Sequence, residues 1–547
     1  MRPSIAFVGA GPTTIYTLHA LLEAMHGGAD ITIYEAQSQA GLGTPYRPGW
    51  NDPAMLSNIA SIEIPPIRET LCAWLERQPR RRLLRLGVDP DAIDPHAFYP
   101  RVALGAYFQE QFEWLVATAR GRGMAVDVVT GVRVTDIRAD SNRICLSLLP
   151  RRGTNFERAH DEVVLATGHQ WPEEPEVKPG YFLSPWPATA LQRIPPASIG
   201  ILGSSLTAID AAVTMATTHG AFEQAEGEAL RYRIDPDADD FAITMISRKG
   251  LLPEADFYHP LPYEPLAICT PEAISALIEQ GGEDLLDRAF ALFRDELAAA
   301  DPVYAEAVGL SAVTLETFCD RYFAERLAAD PFDWAAANLA EARSHFESCH
   351  TVPWRYAILR MHETFGLIAP HLDEEALHRF NTTLKPVFVD DYATVPHLSI
   401  ERMLALHRAG RLEVVALGQG GSIDTKSVPG AVVTIAGRRR HFPAFIDATG
   451  QAPLGAEDFP FSTLLKQGVV KDAAEADGAG VKGIVVDAQF HPLSTHPARA
   501  QLFCLSIPFL LQRHPFIQGI TSSHEIGTIV GTELAAVADA ASLEAAA

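Results

Sequence analysis

The chain opens on a short apolar run, SIAFV at residues 4–8, which stops at a glycine turn, GAGPTT at 9–14. The following IYTLHALLEAM spaces its apolar side chains at helical period. Strand, turn and helix are the order this predicts. ITIYEA at 31–36 alternates as a second strand should and ends in Glu35. Between 71 and 150 the pattern is mixed. LCAWLERQ and LGAYFQEQFEWLVATAR read as helices, the second opened by FYPR at 98–101. AVDVVTGVRVTDIRAD and ICLSLLP read as strands of an antiparallel sheet, and DEVVLATGH at 161–169 as a buried strand.

The opening theme then returns. SIGIL at 198–202 is a strand, Gly203-Ser204-Ser205 a turn, and LTAIDAAVTMA a helix that carries Asp210 in a structural role. FAITMISRKG at 241–250 is the next strand and ends in Arg248 and Lys249, after a polar surface excursion at 219–240. From about 251 to 380 helical period dominates, which predicts an inserted helical domain. FYHPLPYEPL ahead of it is loop, and HTVPWRYAILR starts a helix with Pro353 in its first turn. Strands return in RLEVVALG, AVVTIAG and HFPAFIDATG. The segment 502–535 holds a strand, a loop and a helix that begins near Thr521-Ser522-Ser523.

The chemistry sits at the turns. Gly9 allows the tight bend, Gly11 lets a pyrophosphate approach the backbone, and the helix start at Pro12, Thr13 and Thr14 offers unpaired N–H groups to an anion. Thr14 stands where a third glycine is usual, so a slightly displaced helix is expected. Glu35, 24 residues beyond Gly11, accepts ribose hydroxyls, which suits FAD or NAD and disfavours NADP at this first site. At the second turn, Gly203, Ser204 and Ser205 take the same role. Arg248 and Lys249 lie where a 2′-phosphate would sit, which favours NADP over NAD. Ala-Thr-Gly ends an apolar strand twice, at Thr167-Gly168 and at Thr449-Gly450, and each copy would mark a crossing between domains beside a dinucleotide. MLSNIASIEIPP at 55–66 falls near the far end of the first nucleotide, with Asn58 as the flavin contact. Gly519 and the following helix N-terminus are placed to carry negative charge on a reduced flavin. Arg355 and Arg360 read as surface cations, with Arg355 the choice for an anionic substrate group. Tyr258 and His259 are the candidates to line the reaction cavity. No catalytic residue and no metal ligand is assigned.

Composition narrows the classes. With 547 residues and 47% hydrophobic content the chain can bury several cores. Lys plus Arg is 44 against 68 Asp plus Glu, a net charge of −24, which argues against nucleic-acid and basic membrane-surface binding. The six cysteines include no CxxC, so a dithiol redox centre and a zinc ribbon are not expected. No run of about 18 apolar residues predicts a membrane span. A cytoplasmic protein is the expectation.

The motifs LSNIASIEIPP, FYPR, GSSLTAIDA, LLPEADFYHPLPYEP and HTVPWRY resemble the bacterial FAD-NAD(P)-binding proteins of the YdhS type, over nearly the whole chain. The wider pattern is similar to flavin N-hydroxylating monooxygenases of the aspartate N-monooxygenase kind. The resemblance implies an α/β fold with two Rossmann-like dinucleotide-binding domains, the FAD domain split by an inserted NADPH domain, plus a helical insert. The expected boundaries are FAD domain 1–190 and 441–547, NAD(P)H domain 191–250 and 385–440, and insert 251–384. It implies FAD contacts at Gly9, Gly11, Pro12, Glu35 and Asn58, and NADPH contacts at Gly203, Ser204, Ser205 and Arg248. The implied activity is a single-component monooxygenase oxygenating a small nucleophile. The alternatives are a reductase passing electrons to a quinone or protein, and a non-catalytic FAD-binding sensor or scaffold whose partner docks on the helical insert.

Overall fold

The structure, a computed structural model, describes residues 2–140, 142–172, 174–225, 227–473 and 482–546. The chain forms two compact units, Met1–Pro48 with Ile59–Gln170 and Gln451–Ala547, and Gly49–Asn58 with Trp171–Gly450.

The first unit is built on a five-stranded parallel sheet. Its order is Leu502–Cys504, Glu162–Leu165, Ser4–Val8, Asp30–Glu35 and Ala125–Thr130. Ile5, Ala6 and Phe7 are fully buried, as a central parallel strand covered on both faces requires. The long C-terminal helix Ile520–Ala546 lies against Pro12–Ala24, and two missing side chains permit the approach. A Cβ on Gly527 would fall 2.8 Å from the Thr17 nitrogen, and one on Gly531 would fall 2.6 Å from the Ala20 Cβ. By length and composition this helix, over Ile520–Leu543, is apolar enough to cross a membrane. Its Val530, Leu534 and Ala538 are part of the first unit's core.

The second unit repeats the plan. Its main sheet runs Leu412–Ala416, Ala242–Ser247, Ser198–Leu202, Ala444–Asp447, Tyr181–Phe182 and Glu176–Lys178. In both units the glycine-turn strand is central, the strand that follows its helix lies on one side, and the Ala-Thr-Gly strand lies on the other. Both also place a three-stranded antiparallel sheet just before the Ala-Thr-Gly strand: Val132–Asp140, Arg143–Pro150 and Phe156–His160 in one, Ser422–Asp424, Ala431–Ile435 and Arg438–Phe442 in the other. The helical insert runs from Pro271–Gln280 to Lys385–Tyr392, and Phe332, Ala335, Leu339 and Ala342 on one of its helices join the second unit's core.

Three expectations are corrected by this pairing. Ala444–Asp447 and the Ala-Thr-Gly after it belong with the second glycine turn, so the return to the first unit comes at 451 and not at 441. Residues 171–190 likewise join the second unit, because Tyr181–Phe182 pairs with Ala444–Asp447. Ala125–Thr130 is a parallel edge strand of the first main sheet and not part of the antiparallel one.

Candidate functional site

In the first unit the glycine turn is shaped by close approach. Gly9 has φ of +107°, and a Cβ there would lie 2.2 Å from the Ala166 carbonyl oxygen. Any other residue is both strained and in collision, so the Ala-Thr-Gly strand is part of the turn's own packing. The helix begins at Pro12 with Gly11 as an N-cap that has no side chain to satisfy the first N–H groups. Other helices of the chain meet that need internally, as Asp330 does by accepting from the Phe332 and Asp333 nitrogens. Thr14 is fully buried, and its hydroxyl donates to the Gly9 carbonyl at 2.7 Å. The side chain that replaces the usual glycine thus bonds the turn.

Glu35 ends the neighbouring strand and is 9% exposed. Its carboxylate accepts from the Ala10 nitrogen at 3.2 Å and the Gln37 nitrogen at 2.8 Å, with Arg47 Nη2 at 3.7 Å. A carboxylate has about four acceptor positions, so capacity for ribose hydroxyls remains. Two hydroxyl pairs close the site. Thr13 Oγ1 lies 3.2 Å from Ser523 Oγ, and Thr167 Oγ1 lies 2.8 Å from Ser506 Oγ. Gly168 has φ of +69°. Gly519 accepts from the nitrogen and the hydroxyl of Ser523, both at 3.1 Å. The structure therefore brings Gly9, Gly11, Pro12, Thr13, Thr14, Glu35, Thr167, Gly168 and Gly519 into one unit and around one turn.

Arg101, Tyr46 and His169 form a group that sequence reasoning did not assign. Burial, and then the Arg101 charge, lower His169 to about 4, so its imidazole is neutral near pH 7. Burial pushes the Tyr46 phenol up to about 12, against the opposing pull of Arg101. Their signal in the sequence was the position of His169 directly after Ala-Thr-Gly, and of Arg101 in FYPR at the start of the helix Arg101–Gly121.

The second turn is a near copy. Gly203 has φ of +120°, and a Cβ there would meet the Ala448 oxygen at 2.8 Å. The Gly203 nitrogen donates to the Ile246 carbonyl at 2.7 Å, as Gly9 donates to Tyr34 at 2.9 Å. Tyr34 precedes Glu35, so the position matching Glu35 is Ser247, followed by Arg248. No carboxylate stands at the second ribose position, and Arg248 is exposed there. Lys249 is not its equal, because its ammonium lies over the Phe323 ring, 3.4 Å from the centroid. Ser205 is an N-cap without a side-chain hydrogen bond, and Ser204 Oγ donates to the Leu251 carbonyl at 2.5 Å. Thr449 donates its nitrogen and hydroxyl to Asp447 at 3.0 and 2.7 Å, and Gly450 has φ of +87°. Asp210, 5% exposed, lines a small cavity with Ser57, Ser399 and Arg402.

The remaining candidates are placed differently from expectation. Asn58 is exposed and belongs by its packing to the second unit, at the end of a segment that Arg402 holds by donating to the Ala54 carbonyl at 2.7 Å. Arg355 is no surface cation. It is 5% exposed, pairs with Glu254 at 2.9 Å, stands 3.8 Å from Asp391 and lies over the Phe257 ring. Charge burial demands such partners. Arg360 donates to the Glu264 and Pro265 carbonyls. Tyr258 packs edge-on to Phe346, and His259 stacks on Tyr356.

Both turns pass the same test for a dinucleotide: a glycine whose Cβ would strike the adjacent strand, an uncapped helix start, and a ribose position of defined charge. The comparisons agree. Residues 6–170 match the family model described as FAD-NAD(P)-binding, and residues 270–392 match the one described as YdhS-like middle domain. YdhS of Escherichia coli (strain K12) is 40% identical over 526 residues, 96% of each chain. Among solved structures, the reduced form of ornithine hydroxylase (PvdA) from Pseudomonas aeruginosa has the same fold, with a TM-score of 0.50 at 13% identity over 98% of this chain and 99% of that one. The ornithine N-hydroxylase of Kutzneria sp. 744 aligns over 98% of this chain and 99% of its own, at 14% identity and a TM-score of 0.49. FAD and NAD(P) are accordingly the cofactors, and with family matches on both its first nucleotide segment and its helical insert the chain belongs to the YdhS family of FAD-NAD(P)-binding proteins.

Proposed function

We propose that the protein is an FAD-dependent, NADPH-using oxidoreductase, and that its reaction is oxygenation of a small nucleophilic substrate such as an amine. The observation that carries the two-coenzyme reading is the duplicated turn with opposite ribose chemistry, Glu35 at the first copy and Ser247-Arg248 at the second. An acid repels a 2′-phosphate, whereas an exposed arginine beside a serine receives one. Oxygenation is supported by the fold shared with PvdA, a hydroxylase by its printed name.

The residues then have distinct tasks. Gly9, Gly11 and the helix start at Pro12–Thr14 hold the FAD pyrophosphate against backbone N–H groups, and Glu35 orients its ribose. Bound FAD supplies the hydride acceptor and the site of dioxygen activation. The N-terminus of the helix Ile520–Ala546, joined to Thr13 through Ser523, offsets negative charge on the reduced ring. His169, held neutral by burial, adds no cation of its own beside Arg101. Arg248 holds the NADPH 2′-phosphate, with Gly203 and Ser205 at its pyrophosphate. For an amine the balance is R–NH2 + O2 + NADPH + H+ giving R–NHOH + H2O + NADP+: one oxygen atom enters the substrate and the other leaves as water. No acid–base side chain is required at the substrate nitrogen, which attacks as its own lone pair.

The test is rapid-mixing absorbance of the purified yellow protein, reduced anaerobically by NADPH and then mixed with oxygen. The expected result is a resolved delay before the oxidised spectrum returns, and one product per NADPH in the presence of an accepted amine or thioether. Immediate return with stoichiometric peroxide, and no product across an amine and thioether screen, would make the protein a reductase. No reduction by NADPH would overturn the coenzyme assignment itself.

A further inference from the structure

The helix Leu315–Ala328 lies within the segment matched by the YdhS-like middle-domain model. Its Cys319, Phe323 and Arg326 fall at i, i+4 and i+7 and so share one face. That face meets residues 249–252, which follow Arg248 directly. Lys249 Nζ stands 3.4 Å from the Phe323 ring centroid and 3.8 Å from Cys319 Sγ. Arg326 is 4% exposed and donates Nη2 to the Leu252 carbonyl at 2.7 Å. Its other nitrogens are held by Asp390 of the insert at 2.5 Å and by Glu254, on the connecting segment itself, at 3.6 Å. From the opposite side, the Ser204 hydroxyl of the glycine turn donates to Leu251. Three of the four residues 249–252 are thus gripped by three side chains of one insert helix and by one hydroxyl of the turn.

We propose that this face of the insert is the positioning element of the coenzyme turn: by holding Lys249 and Leu252 it leaves Arg248 as the cation for the 2′-phosphate and keeps Ser204 in its turn. The proposal rests on the coenzyme reading above. Its physical content is preorganisation. An arginine on a backbone already fixed loses less conformational freedom when it binds a phosphate than one on a loose loop. Coupling of this kind is reciprocal, so NADP+ must stabilise the insert by the amount the insert favours NADP+. Lys249, Phe323, Cys319 and Arg326 are positioning residues and need not touch the nucleotide.

Lys249→Met and Phe323→Leu each remove the cation–ring contact without stranding a buried charge, and the double variant tests whether they act as one. Arg326→Met is paired with Asp390→Asn, so that no carboxylate is left facing an empty place. Two readouts are made on the purified full chain: calorimetric affinity for NADP+ and NAD+, and amide hydrogen exchange of residues 203–206 and 249–257 without nucleotide. Each single variant is expected to weaken NADP+ about 3- to 10-fold, the scale of a partly desolvated cation–ring contact. The loss of NADP+ affinity should exceed any loss of NAD+ affinity, the double variant should be no weaker than either single one, and exchange should quicken in both segments. Equal loss of NADP+ and NAD+, or additive losses, would overturn the selectivity role. Unchanged exchange in all variants would overturn the grip itself. A wild-type protein that binds no NADP+ would overturn the coenzyme reading, a result distinct from either.

Discussion

Glu162 is a buried acid in the first unit, and its ionisation should be legible in stability. It lies in the strand Glu162–Leu165, in register with Ile5, and is 7% exposed. Its Oε2 has no hydrogen-bond partner. Burial first, and then the charges of Asp161 and Glu533, push its carboxyl from the ordinary 4.5 up to about 8. Neighbouring cations do not relieve it: Arg143 is engaged with Asp161 at 3.1 Å, and Asp161 also accepts from the Ser4 nitrogen and hydroxyl. The folded state therefore holds the Glu162 proton more tightly than the unfolded chain does. Stability is complete below pH 4.5 and is lost as pH rises from there through about 8. At about 1.4 kcal/mol per pH unit the full span corresponds to about 5 kcal/mol, an upper bound that water entry and relaxation reduce. Glu162→Gln keeps the shape and cannot ionise. It should be more stable than the parent by about 2–4 kcal/mol at pH 8.5 and equal within about 0.5 kcal/mol at pH 4. Urea unfolding followed by tryptophan fluorescence at pH 4, 6 and 8.5 measures this. A difference that is the same at all three values would refute the argument.

Three further outcomes are expected. Gly9→Ala places a Cβ 2.2 Å from the Ala166 oxygen at a φ of +107°, so it should lower the thermal midpoint and purify with little FAD, a loss of about 3 kcal/mol or more that absorbance and calorimetry would show. Arg248→Ala should raise the Michaelis constant for NADPH tenfold or more, on the order of one charge-assisted contact, while that for NADH barely moves; equal changes for both would sink the 2′-phosphate assignment. Arg355→Met takes one of two arginines from Glu254 and leaves buried Asp391 with no paired cation, so it should cost about 3–5 kcal/mol, with much of it recovered by adding Asp391→Asn; an additive loss in the double variant would show that the pair is not the cause.

The sequence by itself determined the two strand–turn–helix units, the charge of each ribose position and the helical nature of the insert. These are local properties: apolar period, glycine at a forced φ, and the residue that ends a strand all act within a few residues of chain. Pairing across distance was decided only in the folded chain. Ala444–Asp447 was readable as an apolar strand, but its place beside Ser198–Leu202 depends on a partner more than 240 residues away, and with it moved the boundary from 441 to 451. Charge told the same story at smaller scale. Arg355 and Lys249 are indistinguishable in sequence from Arg248, because a cation's role depends on which carboxylates and rings the fold brings to it. Glu254 with Asp391 took the first, Phe323 with Cys319 took the second, and the arginine left over is the one free to meet a phosphate.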